Sequence, residues 1–262
     1  MLLAVDIGNS NISLGVFRGE ELLLRAKLSA QTERSADEYA VFLFDLLRMN
    51  GLERGEIGGA ILASVVPELT ELVESAVKKL FDVPVVRVGP GIKTGFRIRI
   101  DDPSQLGADL VADTLGALSE YGAPLVIVDA GTVTTISAVD GERTYLGCCI
   151  LPGLRASAAM LKESTALLPS IALGDGEEAC LGRNSADAMR RGLLLGNSMM
   201  VDGFADRFLA LPGMAGAAVV ATGGSAELVT ASCRRRVILD PDLTLKGLRR
   251  LYESNRPRSP KL

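Results

Sequence analysis

Two stretches of the chain end an apolar run in an aspartate, place a glycine two residues later and continue with amide or hydroxyl side chains. The first is Val5-Asp6-Ile7-Gly8-Asn9-Ser10-Asn11, and the second is Val128-Asp129-Ala130-Gly131-Thr132. Glycine lets backbone N–H groups approach an anion closely. Asn9, Ser10, Asn11 and Thr132 add side-chain donors. Asp6 and Asp129 close their apolar runs and can hold a cation directly or through water. A third transition of this kind is Thr222-Gly223-Gly224. Any one such turn is explained by backbone geometry alone. Three in one chain, two with a preceding carboxylate, favour a site for a nucleoside triphosphate.

The sequence contains no histidine. Ser-His-Asp and Cys-His nucleophile systems are therefore excluded, and acid–base steps fall to carboxylates, Lys, Tyr or Cys. Phosphoryl transfer suits such a chain: it requires positioning, charge neutralisation by a metal, and a carboxylate to orient the attacking hydroxyl. The candidate carboxylate lies in Gln105-Leu106-Gly107-Ala108-Asp109-Leu110. Gly107 permits close approach to the first turn of a helix whose amides favour anions. Asp109 falls in that turn, and Asp113, four residues on, shares its face and can raise its pKa by like-charge proximity. Acids in a first turn also complement the helix dipole with no catalytic role.

These residues need strands that end in turns and helices that begin at them. Residues 2–6, 12–17 and 21–29 read as three strands. Ser35 and Glu38 form a capping box, and behind it Tyr39, Phe42, Leu43, Leu46 and Leu47 line one helical face closed by Gly51. A strand follows at 59–66, a helix from Pro67, a strand at 83–88 and a helix from Ser104 to Tyr121. Residues 124–140 then repeat the opening pattern of residues 2–17, about 120 residues later. The repeat predicts a duplicated α/β chain with halves at 1–121 and 122–253 and a disordered tail at 254–262. Residues 185–210 predict one long helix whose Gly192, Gly196 and Gly203 pack closely on another helix or on a second subunit.

Composition narrows the setting. Hydrophobic residues make up 48% of the chain and aromatics 4%, so the core is aliphatic, as in sheets covered by helices. The net charge of −4 supplies no basic field for nucleic acid, and Arg234-Arg235-Arg236 reads as a solvated strand entry. The four cysteines include no CxxC pair, which argues against zinc and for a reducing compartment; Cys148 and Cys149 read as buried small residues. No apolar run is long enough to span a membrane, and Asp6 interrupts the N-terminal one, so a cytoplasmic protein is expected.

The chain resembles the type III pantothenate kinases of the acetate/sugar kinase–Hsp70–actin superfamily. The motifs that carry the resemblance are DIGNSN (6–11), SADEYA (35–40), SVVPELT (64–70), VGPGIKTG (88–95), GAD (107–109), DAGTVTT (129–135), PG (152–153), LGRNSADAM (181–189), ATGG (221–224) and DPDLTLKGL (240–248). The resemblance implies duplicated actin-like, ribonuclease H-like halves, each a mixed sheet flanked by helices, with a cleft between them. It implies ATP-dependent phosphorylation of pantothenate, the first step toward coenzyme A. Asp6, Ile7, Gly8, Asn9, Ser10, Asn11, Ile12, Ser13 and Thr132 would surround ATP, which brings Mg²⁺. Asp109 would be the catalytic base. Asp129 would bind a monovalent cation, K⁺ or NH₄⁺. Ile100, Gly107, Ala108, Asp109, Leu110 and Ser185 would line the pantothenate site, near the interface of a homodimer.

The departures from the family pattern cluster at that acceptor site. Leu110 stands where the family has Arg, Ile100 where it has Tyr, and Ser185 where it has Thr; in the second hairpin Ser137 replaces a frequent Asp. A lost charge-assisted partner for a carboxylate costs ~1.5–3 kcal/mol of binding, so Leu110 bears on pantothenate affinity more than on phosphoryl transfer. A kinase for another small hydroxyl compound, and a nucleotide-binding regulator, are the two competing readings.

Overall fold

The computed structural model describes residues 1–174 and 180–256. Its strands are β1 (Leu2–Ile7), β2 (Asn11–Arg18), β3 (Glu21–Ser29), β4 (Gly59–Ser64), β5 (Val85–Arg87), β6 (Arg97–Ile98), β7 (Leu125–Ala130), β8 (Val133–Val139), β9 (Thr144–Pro152), β10 (Ala218–Thr222) and β11 (Ile238–Leu239). Its helices are α1 (Ala36–Met49), α2 (Pro67–Phe81), α3 (Ala108–Glu120), α4 (Leu154–Glu163), α5 (Ser185–Leu209), α6 (Ala226–Thr230) and α7 (Leu243–Asn255), with 3₁₀ turns at Arg54–Glu56 and Pro103–Gln105.

The strands form two sheets, ordered β3-β2-β1-β4-β5 and β11-β10-β7-β8-β9-β6. In the first, β1 pairs antiparallel with β2 and parallel with β4. In the second, β7 pairs antiparallel with β8 and parallel with β10. With β6 set aside, the second sheet repeats the first strand for strand. The internal repeat is therefore one of topology, not only of turn type. Two compact units result. One comprises Met1–Gly95, Asp102–Ser119 and the chain from Leu243; the other comprises Phe96–Asp101 and Glu120–Asp242. Where the sequence suggests one boundary after residue 121, the units are interleaved, because α7 returns to the first.

Each unit has its own aliphatic core. Leu3, Val5 and Ile7 of β1 pack with Ile12, Leu14, Leu62, Val73 and Val77 in the first. Val126, Val128 and Ala130 of β7 pack with Ile136, Leu154, Val201 and Val219 in the second. The alternation places Asp6 and Asp129 on the face opposite these clusters. In α1 the capping box is complete: Ser35 Oγ accepts from Glu38 N–H, and Glu38 reaches back to Ser35 N–H at 2.8 Å. Tyr39, Leu43 and Leu47 are the buried residues of the expected face.

Several expectations are corrected. The helix expected from Ser104 is broken: a 3₁₀ turn ends at Gln105 and α3 begins at Ala108. Asp102 accepts from Ser104 N–H at 2.9 Å, which closes the turn before the helix starts. Ser254 and Asn255 are not tail but the end of α7, and Asn255 binds the backbone of Lys93 through both side-chain atoms at 2.9 Å; residues 257–262 lie outside the described residues. A Cβ on Gly192 or Gly196 of α5 would meet nothing within 4 Å, so among the described residues no other helix packs on them. Arg235 is not a solvated strand entry but an ion-pair partner of Asp202 and Asp206 on α5. Cys148 and Cys149 are half-buried on β9 rather than buried.

Candidate active site

In the first hairpin Gly8 N–H donates to Asn11 O at 2.9 Å, and a Cβ on Gly8 would stand 3.3 Å from that oxygen. The turn is held on both flanks: Val65 N–H donates to Ile7 O, and Ala30 N–H to Ser10 O, each at 3.1 Å. Asp6 lies opposite Ser13 on β2 and beside Ala63 on β4. Asn9, Ser10 and Asn11 are exposed, whereas the side chains of Ile7 and Ile12 belong to the core. Those two isoleucines can serve a ligand only through their backbone.

The same unit holds Gly107, Ala108, Asp109 and Leu110. Gly107 O accepts from Val111 N–H at 3.0 Å, opening α3. Any Cβ on Gly107 would collide with the Asp109 carboxylate. Asp109 Oδ1 accepts from Leu110 N–H at 2.8 Å. Burial raises the Asp109 pKa, and the hydrogen bonds from Leu110 and from its own amide oppose the rise. Burial therefore leads the shift, not the like charge of Asp113 expected from the sequence. Asp113 is 1% exposed and accepts from Thr244 Oγ1 at 2.6 Å. A carboxylate held neutral more readily, yet ionised above a raised pKa, is suited to accept a proton from a bound hydroxyl.

The second unit holds Asp129, Thr132, Ile100 and Ser185. Asp129, next to the last residue of β7, lies opposite Thr135 and beside Thr222. Gly223 has φ +95; a Cβ there would collide with the Asp129 carboxylate and come within 2.7 Å of Ala130 N. Ser225 N–H donates to Ala130 O at 2.9 Å, fixing this third turn on the second hairpin. A Cβ on Gly153 would lie 2.5 Å from Gly131 O, so the Pro152-Gly153 turn closes on the same hairpin from its other side. Ser185 is exposed at the first turn of α5, where Asn184 caps Asp187 N–H at 2.9 Å; Ile100 is half-buried after β6.

Gly153 and Thr135 lie against the second hairpin and join the candidate site; the sequence reading did not single them out, although both fall within motifs it marked. Thr135 Oγ1 is buried without a hydrogen-bond partner, directly across the strand pair from Asp129. Among the described residues no cluster of three or more His, Cys, Asp or Glu is placed to hold a metal. The donor set of one carboxylate, one buried hydroxyl and nearby carbonyls fits a weakly held oxygen-liganded cation, not a dedicated cage. In the first unit a pocket of about 350 Å³ opens at the carboxyl ends of β4 and β5, lined by Leu62, Ser64, Val65, Pro67, Thr70, Glu71, Arg87 and Val88. None of the sequence-derived site residues lines it.

The duplicated mixed sheet with a glycine hairpin after the first strand of each copy is an actin-like fold. A Campylobacter jejuni structure described as a Baf family transcriptional activator aligns at TM-score 0.62 and 19% identity, over 96% of this chain and 97% of that one. A Sinorhizobium meliloti structure described as a 2-dehydro-3-deoxygalactonokinase aligns at TM-score 0.57 and 13% identity, over 100% and 99%. The chain belongs to the type III pantothenate kinase family, whose model matches residues 2–207. A type III pantothenate kinase of Moorella thermoacetica is 41% identical over 258 residues, covering 97% of this chain and 100% of that protein. The one from Rubrobacter xylanophilus is 40% identical over 263 residues, covering 99% and 100%.

Proposed function

We propose that the protein transfers the γ-phosphoryl group of ATP to the hydroxyl of pantothenate, giving 4′-phosphopantothenate, the first step toward coenzyme A. Membership of the type III pantothenate kinase family supports the reaction. The observation that carries the residue assignment is the partly buried Asp109 carboxylate, set against Gly107 at the start of α3. Asp109 takes the proton of the acceptor hydroxyl as that oxygen bonds to phosphorus and the bond from phosphorus to ADP breaks. In the first unit Asp6 to Ser13 would hold phosphate through backbone and side-chain donors, in the second Thr132 would add a donor, and Mg²⁺ brought by ATP would supply neutralising charge. Asp129, with Thr135, would hold K⁺ or NH₄⁺. Gly107, Ala108, Leu110, Ile100 and Ser185 bound the acceptor.

A homodimer is part of this reading. Gly192 and Gly196 lie open on α5, and Met199, Leu181, Leu167, Met160 and Ile150 of the same unit are exposed. A second copy of the chain would cover them. No helix among the described residues is long and apolar enough to cross a membrane.

The test is a phosphorylation assay with ATP, Mg²⁺ and K⁺, reading 4′-phosphopantothenate by mass. Product that depends on pantothenate and is lost in Asp109→Asn supports the proposal. Absence of product at millimolar pantothenate from folded, ATP-binding protein overturns it.

A further inference from the structure

The motif DPDLTLKGL (240–248) has no part in the chemistry above, yet it meets α3 at its backbone. A Cβ on Gly116 of α3 would lie 2.5 Å from Leu243 O and 3.1 Å from Gly247 N. A Cβ on Gly247 of α7 would collide with the Ala112 carbonyl. The two helices thus touch where neither has a side chain, and neither position accepts one. At this contact the buried Asp113 accepts the 2.6 Å hydrogen bond from Thr244 Oγ1. In the second unit the same two segments are joined again, by Tyr121 Oη donating to Asp240 Oδ2 at 2.8 Å.

Helix α7 is itself firmly seated. Leu243, Leu245, Leu248 and Leu251 are buried, and Leu245 Cδ1 lies 3.1 Å from where a Cβ on Gly15 of β2 would stand. Arg249, 3% exposed, pairs with Glu253 at 2.7 Å and with Glu20 at 3.5 Å. Helix α3 therefore docks on a fixed support. A side-chain hydrogen bond ties it to that support at Asp113, one helical turn from Asp109. A slide or rotation of α3 at Asp113 is carried directly to Asp109, since a helix turn is stiff on this scale.

We propose that Thr244 and Asp113 are positioning residues: through their hydrogen bond, α7 sets the place of α3 and so of the Asp109 carboxylate. The proposal rests on the reading of Asp109 as the base. A misplacement of about 1 Å in a reacting group can cost on the order of 10²-fold in rate while binding persists.

The experiment compares Thr244→Val, Thr244→Ser, Asp113→Asn and Asp109→Asn for kcat, KM of ATP and melting temperature, with kcat expressed per folded enzyme. Thr244→Val is expected to lower kcat by tenfold or more and to leave the KM of ATP within about twofold. Thr244→Ser, which keeps the donor, is expected to rescue kcat. Asp113→Asn keeps an acceptor oxygen and is expected to lose far less than Thr244→Val. Unchanged kcat in Thr244→Val, or equal loss in Thr244→Ser, overturns the proposal. If Thr244→Val does not fold, a tenfold kcat loss in folded Asp113→Asn overturns it instead, because the charge and not the tie would then matter. Inactive Asp109→Asn beside an unimpaired Thr244→Val removes the brace and leaves the base; active Asp109→Asn removes the base reading itself.

Discussion

The Asp109 carboxylate rests against Gly107, at the place a side chain on that residue would occupy. The glycine is required here by proximity, not by a left-handed backbone. Gly107→Ala should push the carboxylate off its position while α3 and its buried face remain. The expected outcome is a fall in kcat on the order of 10²-fold with a small change in melting temperature. Steady-state kinetics and a thermal melt on the same preparation check it. An alanine variant with full kcat would show that the carboxylate has room to move.

Burial raises the Asp109 pKa, and this has consequences for both rate and stability. A base must be ionised, so kcat should fall with decreasing pH along a limb above the ~3.9 of an ordinary aspartate. For stability the sign is reversed. Between the unfolded and the raised folded pKa the native state binds more protons, so this group's contribution weakens as pH rises through that window. Asp109→Asn should therefore stabilise the protein at neutral pH, and the gain should shrink toward acid. Denaturant melts at both pH values measure it; a gain that grows toward acid would contradict a raised pKa.

Leu110 follows Asp109, the proposed base, directly and is half-buried. Leu110→Arg returns a donor for an acceptor carboxylate. With ~1.5–3 kcal/mol for such a bond, the KM for pantothenate should drop by about 10- to 150-fold and that for ATP should stay constant. Initial rates over both substrates give the two values. An unmoved pantothenate KM would mean that the acceptor carboxylate binds elsewhere.

The parts of this molecule that were legible in its sequence depend on near neighbours. The Ser35–Glu38 box, Pro67 at the start of α2 and the two Asp-x-Gly hairpins each follow from residues within one or two turns of chain. What was not legible depends on distant pairing. Nothing local says that α7 returns to the first unit, so the polar composition after residue 253 reads as tail while Ser254 and Asn255 complete the helix. The break before Ala108 comes from Asp102 capturing the Ser104 amide, a competition that helical periodicity does not register. Arg235 reads as surface until α5 supplies Asp202 and Asp206. Gly153 and Thr135 gain meaning only once β7, β8 and β9 are side by side.

Thr135 offers the most direct test of the proposed cation. Its hydroxyl is buried without a partner, opposite Asp129. A buried unpartnered polar group destabilises, so Thr135→Val, nearly the same shape, should match or exceed the parent's melting temperature in a K⁺-free buffer. If the hydroxyl is a ligand of K⁺, the order should invert as K⁺ is added, because the parent gains stability by mass action and the valine variant gains less. The KCl concentration for half-maximal activity should rise in the same variant. Asp129→Asn should weaken both responses further, since it removes the one carboxylate in the donor set. Melts in KCl against matched tetramethylammonium chloride separate K⁺ from ionic strength. Equal stabilisation of parent and Thr135→Val by K⁺ would take Thr135 out of the cation site and leave its buried hydroxyl a cost of the fold.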